Sequence, residues 1–278
     1  MTSKYKVGLI VGHGLDDMDI IRNPMPRPVT TIFGDPSNLL IECMINGMEC
    51  AIMPRCPESP YIPPNLINYR ANVWALKEAG CTHVIDIVTS GSLKEEIKPG
   101  SFLMPDNFID FTNGRSHTFF DGKSGSLPGA LLCPMDPPFC EPLRKFLLDA
   151  FNKADINCSD GGVGVTVNGP RFSTKSESLM YQKLGGDFVN MVLSSDSILC
   201  KEAGMLYACI AFITAYDSWK DGNKYNAKVI KKVKATHKAT IEKLINACVG
   251  QIGTRDWDKE IEDLKKETSQ GSKCICKK

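Results

Sequence analysis

Short, continuous apolar runs separated by helical patterns are the feature of this chain that most limits its fold. Residues 7–12, 82–88 and 206–214 are apolar over most of their length. Runs of this kind are typical of strands that are buried on both faces of a sheet. Because helical patterns alternate with them along the chain, the sequence predicts an α/β protein with a mixed β-sheet core flanked by helices.

The other periodic segments extend this framework. Residues 65–79 carry apolar side chains at helical spacing and are followed by Gly80, which favours a helix end. Asn46-Gly47 predicts a hairpin between residues 39–45 and 50–53. Further strands are predicted near residues 101–104 and 164–167, and further helices over 141–153, 194–203, 227–249 and 256–266.

Length and composition restrict the classes of protein that remain. The 278 residues are enough for one large core, and we predict a single domain over residues 1–269 followed by a polar, basic tail, 270–278. Residues 97–129 are rich in turn-forming residues and are predicted to be surface strands and loops.

Charge and hydropathy argue against two kinds of partner. The formal net charge of +1 gives no general attraction to nucleic acid or to an anionic membrane. No apolar run approaches the roughly 18 residues that cross a bilayer. Because the first residues also lack the apolar core of a signal peptide, we expect the protein in the cytoplasm, with the nucleus as a second option.

The sequence contains 12 cysteines, most of them within apolar runs, where cysteine behaves as a small hydrophobic residue. No CxxC pair occurs, so we predict no metal site. Cys274 and Cys276 lie in the basic tail, where a metal or a disulfide remains an alternative to the favoured interpretation of a plain tail.

Residues 168–178 have the pattern of a pocket rim. Gly169-Pro170 forces a turn after a predicted strand, and Arg171 and Phe172 then offer a planar set of donors and a flat apolar face. Ser173 or Thr174 can cap the helix that follows. An ordinary strand-to-helix turn explains the same pattern, and the residues alone do not separate the two interpretations.

Three further segments follow predicted strands, at the sheet edge where α/β proteins bind ligands. Gly12-His13-Gly14 can present backbone N–H groups to an anion, but it lacks the third glycine of a dinucleotide-binding GxGxxG motif. Residues 89–92 are small and mostly hydroxylated, and Asp217 is a single carboxylate after a buried strand. A polar turn and a helix cap are the structural alternatives for these last two.

Taken together and in this order, the motifs resemble the purine nucleoside phosphorylase family, and within it the S-methyl-5'-thioadenosine phosphorylases. The resemblance covers nearly the whole chain. Its most specific parts are the segments 68–78, 91–100, 108–110, 169–173, 190–191, 201–204 and 216–220.

The resemblance implies a nucleoside phosphorylase-like fold, a homotrimer and a reaction without a metal or organic cofactor. Inorganic phosphate is the implied co-substrate, and it attacks the anomeric carbon of a purine nucleoside to release the base. The implied partners are therefore a purine nucleoside and phosphate. A buried phosphate needs charged and hydrogen-bonding groups around it, and the departing purine needs an acid that shares a proton with it.

Individual roles follow from positions that match the family. Arg55 matches the phosphate-binding arginine, Phe172 the residue that stacks on the base, and Met191 the residue that holds the ribose. Asp217 matches the second aspartate of the family's Thr-Asp-Tyr-Asp run, and we predict that it serves the base as the catalytic acid. His13 stands where the family has a threonine or serine, and we predict that His13 and Thr89 bind phosphate together with Arg55.

Other positions depart from the family around the same site. Histidines of the family are replaced by Cys56 and Pro60, a glutamate by Asn168, and an aspartate that meets the purine by Ala215. Val88 and Val192 keep the shape of threonine without its hydroxyl, and each hydrogen bond lost to a charged ligand is worth roughly 1.5–3 kcal/mol.

Three hypotheses therefore remain from the sequence. The first is a phosphorylase of reduced activity or altered specificity, in which a protonated His13 compensates for part of the loss. The second is a catalytically inactive paralogue that binds nucleosides or another protein, with His13 filling the phosphate pocket. The third is a nucleoside hydrolase, although no base that would activate water is evident.

Overall fold

The computed structural model describes residues 4–12, 15–57, 60–122, 127–222 and 226–271. Within these residues, eleven strands form a branched sheet. The strands are β1 (Val7–Val11), β2 (Arg22–Arg27), β3 (Leu40–Ile45), β4 (Met48–Pro54), β5 (His83–Ser92), β6 (Phe102–Met104), β7 (Asn107–Asp110), β8 (Cys158–Asp160), β9 (Val163–Thr166), β10 (Phe188–Asn190) and β11 (Leu206–Tyr216). The helices are α1 (Tyr69–Glu78), α2 (Glu141–Lys153), α3 (Lys175–Lys183), α4 (Leu193–Glu202), α5 (Ala227–Thr236), α6 (Lys238–Ile252) and α7 (Asp258–Gly271).

The sheet is mixed, as predicted. Its main path runs β2-β3-β4-β1-β5-β10-β9-β7, and β11, β6 and β8 branch from β5. Strand β1 is parallel to β4 and β5, and β5 is parallel to β11, whereas β10 runs antiparallel to β5. The parallel strands are the apolar runs of the sequence, which confirms the interpretation of those runs as doubly buried strands.

Strand β5 is the point at which the sheet divides. One edge of β5 pairs with β11 from His83 to Ser92. The other edge pairs with β1 only as far as Asp86, and with β10 at Gly91 and Ser92. Among the described residues, the stretch 87–90 therefore has no strand partner on that second edge, and the sheet opens there.

Alternate side chains of the central strands enter two separate cores. Ile85 and Ile87 face the core that α2 and α6 cover, whereas Val84 and Val88 face the core that α1 and α4 cover. Helices thus pack on both faces of the sheet, as the sequence predicted. The continuous apolar runs are the direct result, because successive apolar residues of such a strand meet one core and then the other.

Two predicted helices differ from those in the structure. The helix predicted over residues 65–79 begins at Tyr69, because the side chain of Asn68 caps it by accepting from Ala71 N at 3.2 Å. The helix predicted over residues 227–249 is divided at His237. The His237 ring packs against Phe212 with 5.4 Å between ring centroids, and its backbone leaves the helical region at that residue.

The sequence missed the strands that carry no apolar run. Strand β2 contains Pro24 and Pro26 and is exposed along its length, as edge strands with proline are. Strands β8 and β10 have only three residues each, which is too short for a periodic signal. Strand β7 lies in the segment predicted as surface strands and loops.

Helix α7 continues to Gly271 and so enters the segment that was predicted as a tail from residue 270. Cys274 and Cys276 lie outside the described residues, and their roles stay predictions. Within the described part of the chain, no helix combines the length and the apolar composition that a bilayer crossing requires.

Gly164 on β9 is a position where only glycine fits. A Cβ atom placed there would lie 2.6 Å from Cδ2 of Leu193 and 2.8 Å from Cζ of Phe188, both in packed surroundings. We expect Gly164→Ala to lower the free energy of unfolding by about 1–3 kcal/mol, as overpacking of a core does. Denaturant titration measures this, with Ser159→Ala on the exposed face of β8 as the control. Equal stability of the two variants would contradict the prediction.

Candidate functional site

A cavity of about 590 Å³ lies where the sheet opens beside β5. Five of the residues predicted for the site line it together, although they are far apart in sequence: Arg55, Thr89, Phe172, Met191 and Asp217. His13 lies outside the described residues, so its predicted role in phosphate binding stays a prediction. Two of the residues that differ from the family pattern, Cys56 and Val192, line the cavity. Two others, Val88 and Ala215, do not.

Strand ends bring these side chains together. Arg55 follows β4, and its N–H donates to the carbonyl of Val11 at 2.8 Å, which joins the ends of β4 and β1. Asp217 follows β11, and its N–H donates to the carbonyl of Ser92 at 2.8 Å. Strand β10 runs antiparallel to β5 and ends at Asn190. Met191 therefore follows at the stretch of β5 where the sheet opens. The cavity thus lies at the carboxyl ends of the parallel strands, as ligand sites of α/β sheets do.

Asp217 is the most unusual group of the cavity. Its side chain is buried, and neither carboxylate oxygen has a hydrogen-bond partner among the described residues. Burial raises the pKa of Asp217, and the nearby hydroxyls of Ser178 and Ser173 only partly oppose this. A buried carboxyl group that lacks a partner within the protein is energetically costly unless a ligand supplies one.

Phe172 is held in place by the turn before it and the helix after it. A Cβ atom on Gly169, whose φ is +63°, would overlap the sulfur of Met191, so glycine is required where the two segments meet. Thr174 forms a capping box with Glu177 at the start of α3, which confirms one of the two caps predicted. Arg171 points away from the cavity and pairs with Glu177 through two bonds of 2.7 and 2.6 Å.

Arg115 is a site residue that the sequence analysis missed. Its guanidinium donates to the carbonyls of Met191 and Asn168, each at 2.8 Å, and lies over the ring of Tyr69 at 5.0 Å. It therefore joins the segment of Met191 to the segment that precedes Phe172. The residue gave no signal because it lies in the turn-rich stretch 97–129, where an arginine is most often exposed.

A line of polar side chains supports Arg115. Ser195 accepts from Arg115 at 3.2 Å and lies 3.2 Å from Nε2 of His117, whose Nδ1 is 3.4 Å from Asp110. The order of these groups is that of a serine–histidine–carboxylate triad. Ser195, however, is fully buried and does not line the cavity, so a substrate cannot reach it. We therefore assign this line to holding Arg115.

The charge of Arg55 is already paired within the protein. Its Nε donates to Asp196 at 3.0 Å and its Nη2 to Asp86, and all three side chains are buried. Tyr207 donates to the other oxygen of Asp86 at 2.7 Å. Although burial opposes its charge, the two aspartates raise the pKa of Arg55. Arg55 thus lines the cavity, but its single positive charge is shared between the carboxyl groups of Asp86 and Asp196.

The two aspartates carry one carboxyl group more than Arg55 can neutralise. Burial raises the pKa of Asp86, and it raises the pKa of Asp196 to about 7, against the attraction of Arg55. Sequence analysis overlooked both residues. Asp86 was detectable in principle, since it is a lone carboxylate inside a doubly buried strand and must have a partner there.

We expect an Asp196→Asn variant to change how stability depends on pH. The pKa of this carboxyl group is raised from 3.8 to about 7 by folding, so the unfolded chain loses the proton first and stability falls as pH rises through this window. The variant has no such titration. Its Tm relative to the natural protein should therefore increase from about pH 4 to about pH 7 in thermal melts. Asp263→Asn, on exposed α7, is the matched control, and a pH-independent difference for Asp196→Asn would refute the assignment.

Comparisons with known proteins agree with this geometry. The family model of the phosphorylase superfamily matches residues 6–249. S-methyl-5'-thioadenosine phosphorylase of Anopheles gambiae is 45% identical over 271 residues, which are 96% of this chain and 96% of the relative. The Drosophila melanogaster protein of the same name is 42% identical over 272 residues, 98% of this chain and 92% of the relative.

A solved structure extends the similarity to the whole fold. Methylthioadenosine phosphorylase from Schistosoma mansoni in complex with adenine has 38% identity and a TM-score of 0.93, and the match covers 97% of this chain and 99% of that one. Sequence family, near-complete coverage and fold all lead to one assignment. The chain belongs to the phosphorylase superfamily, among the S-methyl-5'-thioadenosine phosphorylases and purine nucleoside phosphorylases, a class of enzymes that transfer pentosyl groups.

Proposed function

We propose that this protein cleaves a purine nucleoside with inorganic phosphate, and that its substrate is S-methyl-5'-thioadenosine or a closely related nucleoside. The observation that carries the proposal is Asp217, a buried carboxyl group without a partner in the described chain, which lines the cavity beside Phe172 and Met191. The relatives named above supply the reaction class and the candidate substrate. No metal or organic cofactor enters the proposed reaction.

The geometry supports a different role for each of three residues of the cavity. Phe172 offers a flat apolar face to the base, and Met191, fixed through Arg115, bounds the space for the ribose. A phosphate oxygen bonds to the anomeric carbon while the bond from that carbon to the purine breaks, and both electrons of the broken bond leave with the purine. Asp217, whose raised pKa favours its protonated form, shares its proton with the departing base.

We expect the activity on S-methyl-5'-thioadenosine to be about a hundredfold or more below that of a relative with the full family site. Val192 offers no hydroxyl to phosphate, and Ala215 offers no carboxylate to the base. One lost charged hydrogen bond together with a weakened leaving-group contact accounts for a loss of about this size. Adenine release with saturating phosphate measures kcat/KM, and ordinary turnover by the purified protein would disprove the expectation.

Restoring the missing groups should recover activity. Ala215 is buried near the end of β11 and does not itself line the cavity, but the longer side chain of Ala215→Asp returns a carboxylate to the position where the family has one. Val192→Thr returns a hydroxyl to the cavity wall. We expect the double variant to gain at least about tenfold in kcat/KM, equal to one recovered bond. Val88→Thr is the matched control, because Val88 faces the core between the sheet and α1 rather than the cavity.

The pairing of Arg55 favours a second candidate function, a nucleoside-binding protein without catalysis. Asp86 and Asp196 already satisfy the guanidinium, so phosphate gains less from it than from a free arginine. Calorimetry separates the two functions. A phosphorylase binds nucleoside and phosphate together and releases the base, whereas a binding protein takes up the nucleoside and leaves it intact.

We also propose a homotrimer that acts in purine salvage in the cytoplasm. The assembly is supported by large apolar side chains that stand exposed beside the cavity mouth, namely Tyr61 at 62% and Leu66 at 68% exposure. Apolar side chains in such a position are typical of an interface between subunits. Light scattering of the purified protein gives its mass directly, and fractionation of cells tests the compartment.

A further inference from the structure

We propose that Arg115 is a positioning residue for the nucleoside, because it fixes the two walls of the cavity between which the sugar and the base bind. The inference rests on the proposed function in one respect, namely that Met191 and Phe172 bound the space for a nucleoside. Arg115 does not itself line the cavity. It therefore acts through the backbone of other residues and not through contact with the substrate.

The backbone carbonyl of Met191 needs donors from outside its own segment. Met191 lies in the turn between β10 and α4, and the first helical hydrogen bond of α4 runs from the N–H of Asp196 to the carbonyl of Val192. Helix α4 thus does not use the carbonyl of Met191. Arg115 Nη1 donates to this carbonyl at 2.8 Å, and the hydroxyl of Tyr69 donates to it at 3.4 Å.

The same guanidinium holds the wall that leads to Phe172. Arg115 Nη2 donates to the carbonyl of Asn168 at 2.8 Å, immediately before Gly169. The two walls also touch each other, because a Cβ atom on Gly169 would lie 2.4 Å from the sulfur of Met191. A planar guanidinium that bridges two carbonyls fixes both their distance and their direction, which a flexible ammonium group does not. Arg115 therefore sets the separation of the two walls.

A pair of asparagines joins the loop of Arg115 to the second wall. The side chain of Asn168 accepts from the backbone N–H of Asn113 at 3.2 Å, and its amide donates to the carbonyl of Asn113 at 3.0 Å. Asn168 stands where the family has a glutamate, and a carboxylate cannot donate to a carbonyl. The reciprocal pair thus requires the amide side chain of this protein, and it holds the loop against the wall that Arg115 fixes.

The two fixed walls contribute to nucleoside affinity and leave the acid in place. Asp217 is anchored from β11, by the bond from its N–H to the carbonyl of Ser92, and not through the walls that Arg115 joins. Loss of Arg115 removes preorganisation that the ground state and the transition state share. Such a loss weakens substrate binding more than it slows the chemical step.

The test measures binding of S-methyl-5'-thioadenosine to the full-length protein by calorimetry without phosphate, so it needs no turnover. Arg115→Met keeps the apolar stem and removes the donors, and it should weaken binding by at least about tenfold, the loss expected for one charge-assisted hydrogen bond. Ser195→Ala keeps the guanidinium and removes one of its partners, so binding should weaken by about threefold. This second variant decides the question if Arg115→Met does not fold.

Arg144→Met is the matched control. Arg144 is also buried and also donates to two backbone carbonyls, those of Pro105 at 2.6 Å and Met104 at 2.7 Å, and none of these three residues lines the cavity. Its loss loosens the fold without moving the walls of the site. Tm measures that loosening in each variant. Equal loss of nucleoside affinity in Arg115→Met and Arg144→Met would overturn the inference, because the cause would then be a general loss of structure.

The action of Arg115 through Met191 has a separate spectroscopic signature. In protein with isotope-labelled methionine methyl groups, the NMR resonance of Met191 is assigned with Met191→Leu. This resonance should shift or broaden in Arg115→Met and stay in place in Arg144→Met. An unchanged Met191 resonance in Arg115→Met would overturn the claim that Arg115 positions this wall.

The outcomes also separate this inference from the proposed function. If the natural protein binds the nucleoside and leaves it intact, the proposed function fails and the Arg115 comparison still decides the inference. If the natural protein is active, KM for the nucleoside should rise in Arg115→Met by a larger factor than kcat falls. A fall in kcat with unchanged KM would overturn the inference, as would failure of the natural protein to bind the nucleoside at all.

Discussion

The pairing of β5 with β11 is the interaction on which the rest of this molecule depends. The two strands pair from His83 and Leu206 to Ser92 and Tyr216, with one shift of register between Ile213 and Ala215, and both are buried along nearly their whole length. Because β11 occupies one edge of β5 completely, β1 and β10 must share the other edge, and they leave it open between them. The functional cavity occupies that opening, so the site is a consequence of how the sheet divides.

The buried charges of the cavity are in two contrasting states. Among the residues that the structure describes, Asp217 is a carboxyl group without a hydrogen-bond partner, whereas Arg55 is a cation with two partners. The first arrangement is suited to a ligand that accepts a proton. The second reduces the attraction for an anion.

Much of the fold was predictable, because long buried strands and amphipathic helices leave strong local patterns. The helix Glu141–Lys153 was predicted to the residue, and the runs of β1, β5 and β11 were located correctly. Short strands such as β8 and β10 left no pattern, since they are stabilised by neighbours that are distant in sequence. The division at His237 likewise depends on its contact with Phe212, which no local rule reveals.

By itself, the sequence determined the fold class, the family and the residues that gather at the strand ends, because each of these is carried by local pattern and motif. Phe172, Met191 and Asp217 are examples, and the structure brings them to one cavity. The state of each charge was decided only by the tertiary structure. Whether Arg55 is free or paired depends on Asp86 and Asp196, which lie 31 and 141 residues away in sequence. Electrostatic interactions depend on the distance between charges and on how deeply they are buried, and the order of the residues specifies neither quantity.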